Sequence, residues 1–390
     1  MPLLRSRAAS PASPVGSLAA ASRAPVRGEE LRVERVSHRF GTTTVLDEVS
    51  FTVEAGQTLA LLGPSGCGKT TILRSIAGLV RPDAGRIDLG AMRIDSLPTR
   101  RRRIGMVFQS YALFPHLTVQ ENVAYGLAAH GVARPERRKR VDEMLALVRL
   151  EGFANRLPKE LSGGQQQRAA VARALAIEPR LLLLDEPFAA LDKDLRLDLQ
   201  IELVRLQKKL SITTIIVTHD QEEALSVAGQ VIVMRAGRIE QQGAPTEIYD
   251  RPKSLFVNLF VGRASVFRAV VSETGPERAH LSLSTGEVLA LPAPVPFMRG
   301  APVAVSIRPE HVTFGDGENS LSATLVVSLP LGPTVVHEAV LDDGTPVKVV
   351  EPRTPETIRS PGQRVRIRPD LGRLQVFPID QLPSETASPA

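Results

Sequence analysis

Nine consecutive residues, Gly63-Pro64-Ser65-Gly66-Cys67-Gly68-Lys69-Thr70-Thr71, combine three glycines with a lysine and several hydroxyls. The glycines permit backbone angles and close approaches that a Cβ would block. Successive backbone N–H groups at a helix N-terminus form a cradle for a highly charged anion. Lys69 would then reach the β- and γ-phosphates of a nucleoside triphosphate, and the Thr70 hydroxyl would ligate Mg²⁺. The plain alternative is a glycine-rich turn before a helix. The surroundings favour the phosphate reading. A strand-like apolar run over residues 58–62 precedes the segment, and a helical pattern, Ile72-Leu73-Arg74-Ser75-Ile76-Ala77, follows it. That order is the context a phosphate-binding loop requires.

Two further segments carry chemistry. In Leu181-Leu182-Leu183-Leu184-Asp185-Glu186-Pro187 a carboxylate ends an apolar run. Asp185 there can hold Mg²⁺, often through water. Glu186, where the chain leaves the strand, can polarise an attacking water as general base. The alternative is a pair of helix N-terminal charges. In Leu161-Ser162-Gly163-Gly164-Gln165-Gln166-Gln167-Arg168 the serine, the glycines and the helix formers read as a helix N-cap. The same N–H groups and the Ser162 hydroxyl would grip a γ-phosphate. Cys67 reads as a tolerated spacer within the cradle.

The elements that must position these groups follow from periodicity. Leu31, Val33 and Val36 alternate with polar residues, as do Val45 and Val49, which predicts antiparallel strands. Strands are expected at 104–108, 181–184 and 213–217, and helices after Gly164 and over 195–210. Residues 117–150 read as two helices split near Gly131 and Pro135. The run Arg137-Arg138-Lys139-Arg140 reads as the wet face of the second. Strands alternating with helices argue for an α/β fold with a parallel sheet. After about Pro252 short β-rich runs appear, at 266–271, 280–283, 303–307, 321–327, 335–340, 347–350 and 365–367. They predict a separate small β-sandwich or barrel. Residues 1–30, rich in Ala, Ser, Pro and Arg, read as a disordered tail or as sequence upstream of the true start; 381–390 also read as disordered.

The 390 residues suffice for two or three domains, with 43% hydrophobic content. The single cysteine excludes an internal disulfide. No apolar run approaches the ~20 residues of a membrane span, so a role at a membrane would come through a partner. The net charge of +6 raises nucleic acid or an anionic surface as partners. The arginines are scattered or locally clustered, however, and no nucleic-acid partner is expected.

Read together, LSGGQ upstream of LLLLDEP and downstream of the glycine-rich loop resembles the ATP-binding cassette (ABC) family of transport ATPases. Other elements match in order: Gln109 the Q-loop glutamine, Ala190-Leu191-Asp192 the D-loop, His219 the switch histidine, and Phe40 the ring that stacks on adenine. The resemblance spans residues 31–243. It implies a P-loop NTPase cassette with a parallel-sheet core, an antiparallel β subdomain and a helical subdomain at about 110–162, within residues 31–250. It also implies a homodimer of cassettes sandwiching two ATP molecules. Phe40, the loop residues 63–71, Gln109, Asp192 and His219 would meet ATP, and Ser162, Gly163, Gly164 and Gln165 would cap the nucleotide of the partner cassette. Thr70, Gln109 and Asp185 would attend Mg²⁺; Lys69, Gln109, Glu186 and His219 would serve catalysis.

The stretch Phe108-Gln109-Ser110-Tyr111-Ala112-Leu113-Phe114-Pro115-His116 and the segment Thr218-His219-Asp220-Gln221-Glu222-Glu223-Ala224-Leu225 resemble the bacterial importer branch. That implies two integral-membrane permease subunits, indirectly a solute-binding protein, and a place on the cytoplasmic face of the inner membrane. Tyr111, Leu113 and Phe114 either line the permease groove or pack internally. Ser306-Ile307-Arg308-Pro309-Glu310-His311-Val312 resembles a C-terminal TOBE-type β-barrel (OB-like) over 251–380. The segments Gln165-Gln166-Gln167-Arg168 and Glu247-Ile248-Tyr249-Asp250-Arg251-Pro252 look most like the polyamine (spermidine/putrescine) group, with ferric iron, phosphonate and sugar as alternatives. A soluble cassette acting on ribosomes or DNA, and a module that binds nucleotide without hydrolysis, are the rival readings.

Overall fold

Buried and exposed residues alternate along β1 (Leu31–Phe40) and β2 (Thr43–Val53), so these strands pair as an antiparallel ribbon with one covered face. In a computed structural model describing residues 28–189, 191–292 and 294–382, β3 (Thr58–Leu62) is buried at every position. It runs directly towards α1 (Lys69–Ala77). β4 (Ala84–Leu89) and β5 (Met92–Arg93) complete the antiparallel sheet, in the order β2-β1-β4-β5. The chain then forms β6 (Ile104–Val107), α2 (Val119–Ala129), α3 (Arg134–Leu147), α4 (Gly163–Ala176), β7 (Leu181–Asp185), α5 (Lys193–Leu210), β8 (Thr213–Thr218), α6 (Gln221–Val227), β9 (Gln230–Arg235) and β10 (Arg238–Gly243).

The second sheet has the order β10-β9-β3-β8-β7-β6 and is parallel except at its β10 edge. Its register aligns Leu62 with Thr218 and Asp185 with Val217. The C-terminal ends of β3, β7 and β8 therefore share one rim of the sheet, where open α/β sheets place their ligands. One apolar core lies between this sheet, α1 and the antiparallel sheet. A second unites β6, β7 and β8 with α2, α3, α4 and α5.

α7 (Pro245–Asp250) and α8 (Leu255–Phe260) lead into a region built of β11 (Ser265–Thr274), β12 (Ala279–Leu283), β13 (Val288–Leu291), β14 (Pro302–Ile307), β15 (Val312–Phe314), β16 (Leu321–Leu331), β17 (Thr334–Leu341), β18 (Pro346–Pro352), β19 (Arg364–Pro369) and β20 (Gln375–Pro378). These strands make two five-stranded antiparallel sheets, β13-β12-β11-β14-β20 and β15-β19-β16-β17-β18, around one apolar core. α8 joins this region to the first. Val257 packs with the β3 and β9 residues Leu62 and Val233, while Leu255 packs with Ala304 and Phe377. Beside it, Arg308 stacks its guanidinium 3.7 Å from the Tyr249 ring centroid and donates to Tyr249 O at 2.9 Å. The Tyr249 hydroxyl donates to Glu310 at 2.5 Å, and burial with that carboxylate pushes its pKa up to about 12.

Several expectations change on the structure. Residues 28–30 are not tail: Gly28 N donates to Ser211 O at 2.9 Å, and Glu29 O accepts from the Thr213 hydroxyl at 2.7 Å. At the other end, Gln381 Oε1 accepts from Leu255 N at 2.8 Å, so residues 381–382 belong to the folded part. The expectations for 1–27, Ala190 and 383–390 lie outside the described residues. Arg140 is no solvated charge; its guanidinium donates to Leu175 O and Ala176 O, both at 3.3 Å, at the end of α4. Tyr111 is 5% exposed and sits in the helical core, which settles its side chain as packing.

Candidate nucleotide site

The loop between β3 and α1 is shaped by positions that exclude a side chain. Gly68 caps α1 with φ +105°, and a Cβ there would lie 2.7 Å from Val45 O. Gly66 has φ +78°. A Cβ on Gly63 would meet Met234 O at 2.5 Å and Cys67 Sγ at 2.6 Å. No side chain caps the α1 N-terminus, so its N–H groups face the concavity with their partial positive charge. Ser65 stands exposed on the loop, while Thr70 and Thr71 are half-buried in the first helical turn. Lys69, 6% exposed, donates its ammonium to Gly63 O at 2.6 Å and Pro64 O at 3.0 Å. Burial pushes the Cys67 thiol pKa up, and the nearby Lys69 pulls against that shift.

The opposite end of α1 is held by a residue that sequence patterns did not reveal. Arg102, 3% exposed, donates to Ser75 O at 2.7 Å and Ile76 O at 2.8 Å, and also to Leu97 O at 2.9 Å. A cation on the last carbonyls complements the helix dipole.

At the ends of β7 and β8, three groups expected to act together do meet. Glu186 has φ +46°, a left-handed conformation rare for a non-glycine residue, and its N–H donates to Val217 O at 2.9 Å. That bend turns its carboxylate out of the sheet. Gln109 Nε2 donates to Glu186 Oε2 at 2.9 Å, and His219 Nδ1 lies 3.3 Å from Glu186 Oε1. His219 is 59% exposed at its side chain, so the group opens to solvent. Asp185, 7% exposed, has its carboxyl pKa raised by burial, with Arg74 and Lys69 opposing that shift and the neighbouring Glu186 adding to it. A buried carboxylate and the Thr70 hydroxyl are hard oxygen donors of the kind that suits Mg²⁺.

The loop after β8 rests on a network missed from sequence. Thr218 donates to Glu223 at 2.5 Å and accepts from Asp220 N at 2.9 Å. Asp220 caps α6 and pairs with Arg196 of α5 at 2.9 Å. Asp220 and Glu223 carried a readable capping signal; Arg196 carried none, because its partner lies 24 residues away.

The remaining expected residues stand apart. Ser162 caps α4: its Oγ accepts from Gln165 N at 3.4 Å, and Gln165 Oε1 accepts from Ser162 N at 3.0 Å. Gly163 opens that helix, and Gly164 packs so closely on α5 that a Cβ would lie 3.0 Å from Leu195 Cδ2 and 3.1 Å from Leu199 Cδ1. Asp192 caps α5 through Leu195 N at 2.9 Å. Among the described residues no hydrogen bond or ion pair links 162–165 to the loop 63–71 or to Glu186. Phe40 ends β1, 55% exposed, with the His38 ring edge-on at 4.6 Å.

Residues 46–189 match the family described as ABC transporter, and residues 305–377 match the TOBE domain. The chain is 44% identical to the Fe(3+) ions import ATP-binding protein FbpC of Brucella abortus (strain 2308), over 85% of this chain and 94% of that protein. It is 48% identical to the spermidine/putrescine import ATP-binding protein PotA of Nitrosospira multiformis, over 74% of this chain and 80% of that protein. A solved dimeric ATP-binding cassette in a post-hydrolysis state, bound to ADP and Pi, matches with TM-score 0.50 and 35% identity, covering 55% of this chain and 98% of that one. With a glycine-shaped loop at the uncapped start of α1, a carboxylate bent out of the same sheet rim, and this degree of likeness across both regions, the chain belongs to the ABC transporter family, as an ATPase subunit carrying a TOBE domain.

Proposed function

We propose that this chain energises a binding-protein-dependent importer by hydrolysing ATP at the interface of a cassette homodimer. The observation that carries the reading is Glu186 held by Gln109 and His219 on the rim that also carries the phosphate loop. The N-terminus of α1 receives the phosphates, and Lys69 exchanges the carbonyls of Gly63 and Pro64 for phosphate oxygens. Thr70 and Asp185 would hold Mg²⁺ with Gln109 nearby, and the cation when bound neutralises phosphate charge. Phe40 offers its exposed ring to adenine. Glu186 accepts a proton from water as the water oxygen bonds to the γ-phosphorus and the bridging bond to ADP breaks. His219 orients the γ-phosphate. The cap residues Ser162, Gly163, Gly164 and Gln165, with Asp192, complete the site of the partner copy.

Two integral-membrane permeases, and through them a solute-binding protein, are the partners of this reading. They place the chain at the cytoplasmic face of a bacterial inner membrane. No helix among the described residues is long and apolar enough to cross one. Phe114 and Tyr125, with ring centroids 4.4 Å apart and Tyr125 52% exposed, form the apolar surface for a permease helix. The solute is a small cation, a polyamine or ferric ion; relatives named for each stand at similar identity. Glu186→Gln tests the chemistry. Turnover should fall by at least roughly 100-fold while ATP binding persists, and unchanged turnover would remove Glu186 from the general-base role. ATPase stimulation by solute-loaded receptor in liposomes with the permeases decides between spermidine, putrescine and ferric ion.

A further inference from the structure

Away from the nucleotide rim, α3, α4 and α5 line an open groove of about 290 Å³. Its floor is apolar: Val148, Val171, Leu199 and Leu203 are each at most 8% exposed. Its rim is strongly basic. Arg149, Arg168, Arg205 and Lys209 line it against one carboxylate, Glu202. Arg168 and Arg149 lie 2.9 and 3.6 Å from Glu202. Arg205 and Lys209 have no ionic partner among the described residues.

Two polar atoms in the wall are buried without a hydrogen-bond partner: Gln167 Oε1, on a residue only 4% exposed, and Arg168 Nε. Buried donors and acceptors left unpaired are costly; a bound anionic head can accept from Arg168 Nε, whereas Gln167 Oε1, itself an acceptor, needs a donor that such a head lacks. An apolar floor with a few convergent polar groups is the make-up of a small-molecule site. The excess of cations selects an anion.

We propose that this groove binds a small anionic amphiphile, an aliphatic carboxylate, whose head pairs with Arg168, Arg205 and Lys209 and whose chain lies on Leu199 and Leu203. Occupancy is read one turn away, at the N-terminus of α4. Leu199 forms part of the floor and also abuts Gly164, behind the Ser162 cap. A ligand displacing Leu199 shifts α5 against α4 and changes ATP turnover. This second half rests on the ATPase reading; the binding half does not.

Calorimetric titration of the full chain with decanoate, decanol and decyltrimethylammonium, all below micelle formation, tests the binding half. Decanoate should bind one to one, and the neutral and cationic probes about tenfold more weakly or not at all. Arg205→Glu with Lys209→Glu should weaken decanoate by about tenfold or more while leaving basal turnover unchanged. Leu203→Trp should fill the floor and abolish binding. Equal affinity for the three probes, or decanoate binding untouched by both the charge reversal and the filled groove, would overturn the site. Decanoate binding that leaves ATP turnover unmoved in wild type would overturn the coupling through Leu199, while hydrolysis without decanoate would show the ATPase reading intact.

Discussion

The N-termini of α1 and α4 are built from the same materials and finished in opposite ways. Both begin at glycines, and both helices have an arginine on their last carbonyls, Arg102 for α1 and Arg140 for α4. At α1 the cap is Gly68 in a left-handed conformation and no side chain covers the N–H groups. At α4, Ser162 and Gln165 close the end with a reciprocal capping box. A glycine-rich helix start is therefore not by itself a phosphate site. The open one suits an anion brought to a single chain. The closed one has Ser162 N and Gln165 N already satisfied, leaves the N–H groups of Gly163 and Gly164 for an anion arriving from elsewhere, and must exchange Gln165 Oε1 or share Ser162 Oγ to offer more. That division suits a site completed by two copies.

The comparison breaks most visibly at Gly68. Gly68→Ala forces a side chain into φ +105° and against Val45 O. With strain of ~3 kcal/mol it should weaken ATP binding to the isolated chain by about 100-fold, measured by calorimetry. Binding within a few-fold of wild type would mean that the left-handed cap is dispensable. Next come the two arginines. Arg102→Met removes a donor from four carbonyls, of which Ser75 O keeps Gly78 N, and should cost about 3 kcal/mol in urea unfolding. Arg140→Met, more exposed and with longer bonds, should cost about 1 kcal/mol. Equal costs would erase the distinction between the ends. The smallest effect sharpens the contrast. Ser162→Ala should cost about 1 kcal/mol of stability and lower turnover, yet leave ATP affinity of the isolated chain unchanged. A matching loss of affinity would place Ser162 in its own chain's site.

Much of this was legible in the residue order because it is local. The phosphate loop, the apolar strand ending at Asp185 and the Ser162 cap each depend on neighbours in sequence, and periodicity located α4, α5 and β8 within a few residues. The meeting of Gln109 with Glu186 spans 77 residues, and only family resemblance anticipated it. Arg102 and Arg196 were illegible for a common reason. Each is one arginine whose partners are backbone carbonyls or side chains remote in sequence, which leaves no pattern around it. β13, β15 and β20 escaped because strands of three or four residues show too little alternation to register. The N-terminal boundary slipped because residues 28–30 are anchored by partners remote in sequence: hydrogen bonds of their backbone atoms to residues 180 and 211–213 and the Glu29–Arg180 ion pair.

The strand order has a consequence for how the chain comes into being. β8 lies between β3 and β7 in the sheet, yet it is made after both. During synthesis from the N-terminus, β3 and the β6-β7 pair must wait as two fragments, each with an unpaired parallel edge, until residue 218 has emerged. These edges are apolar at nearly every position. The nascent chain is most prone to aggregate in that interval, before its central strand arrives, and a pause in translation there would lengthen the exposure.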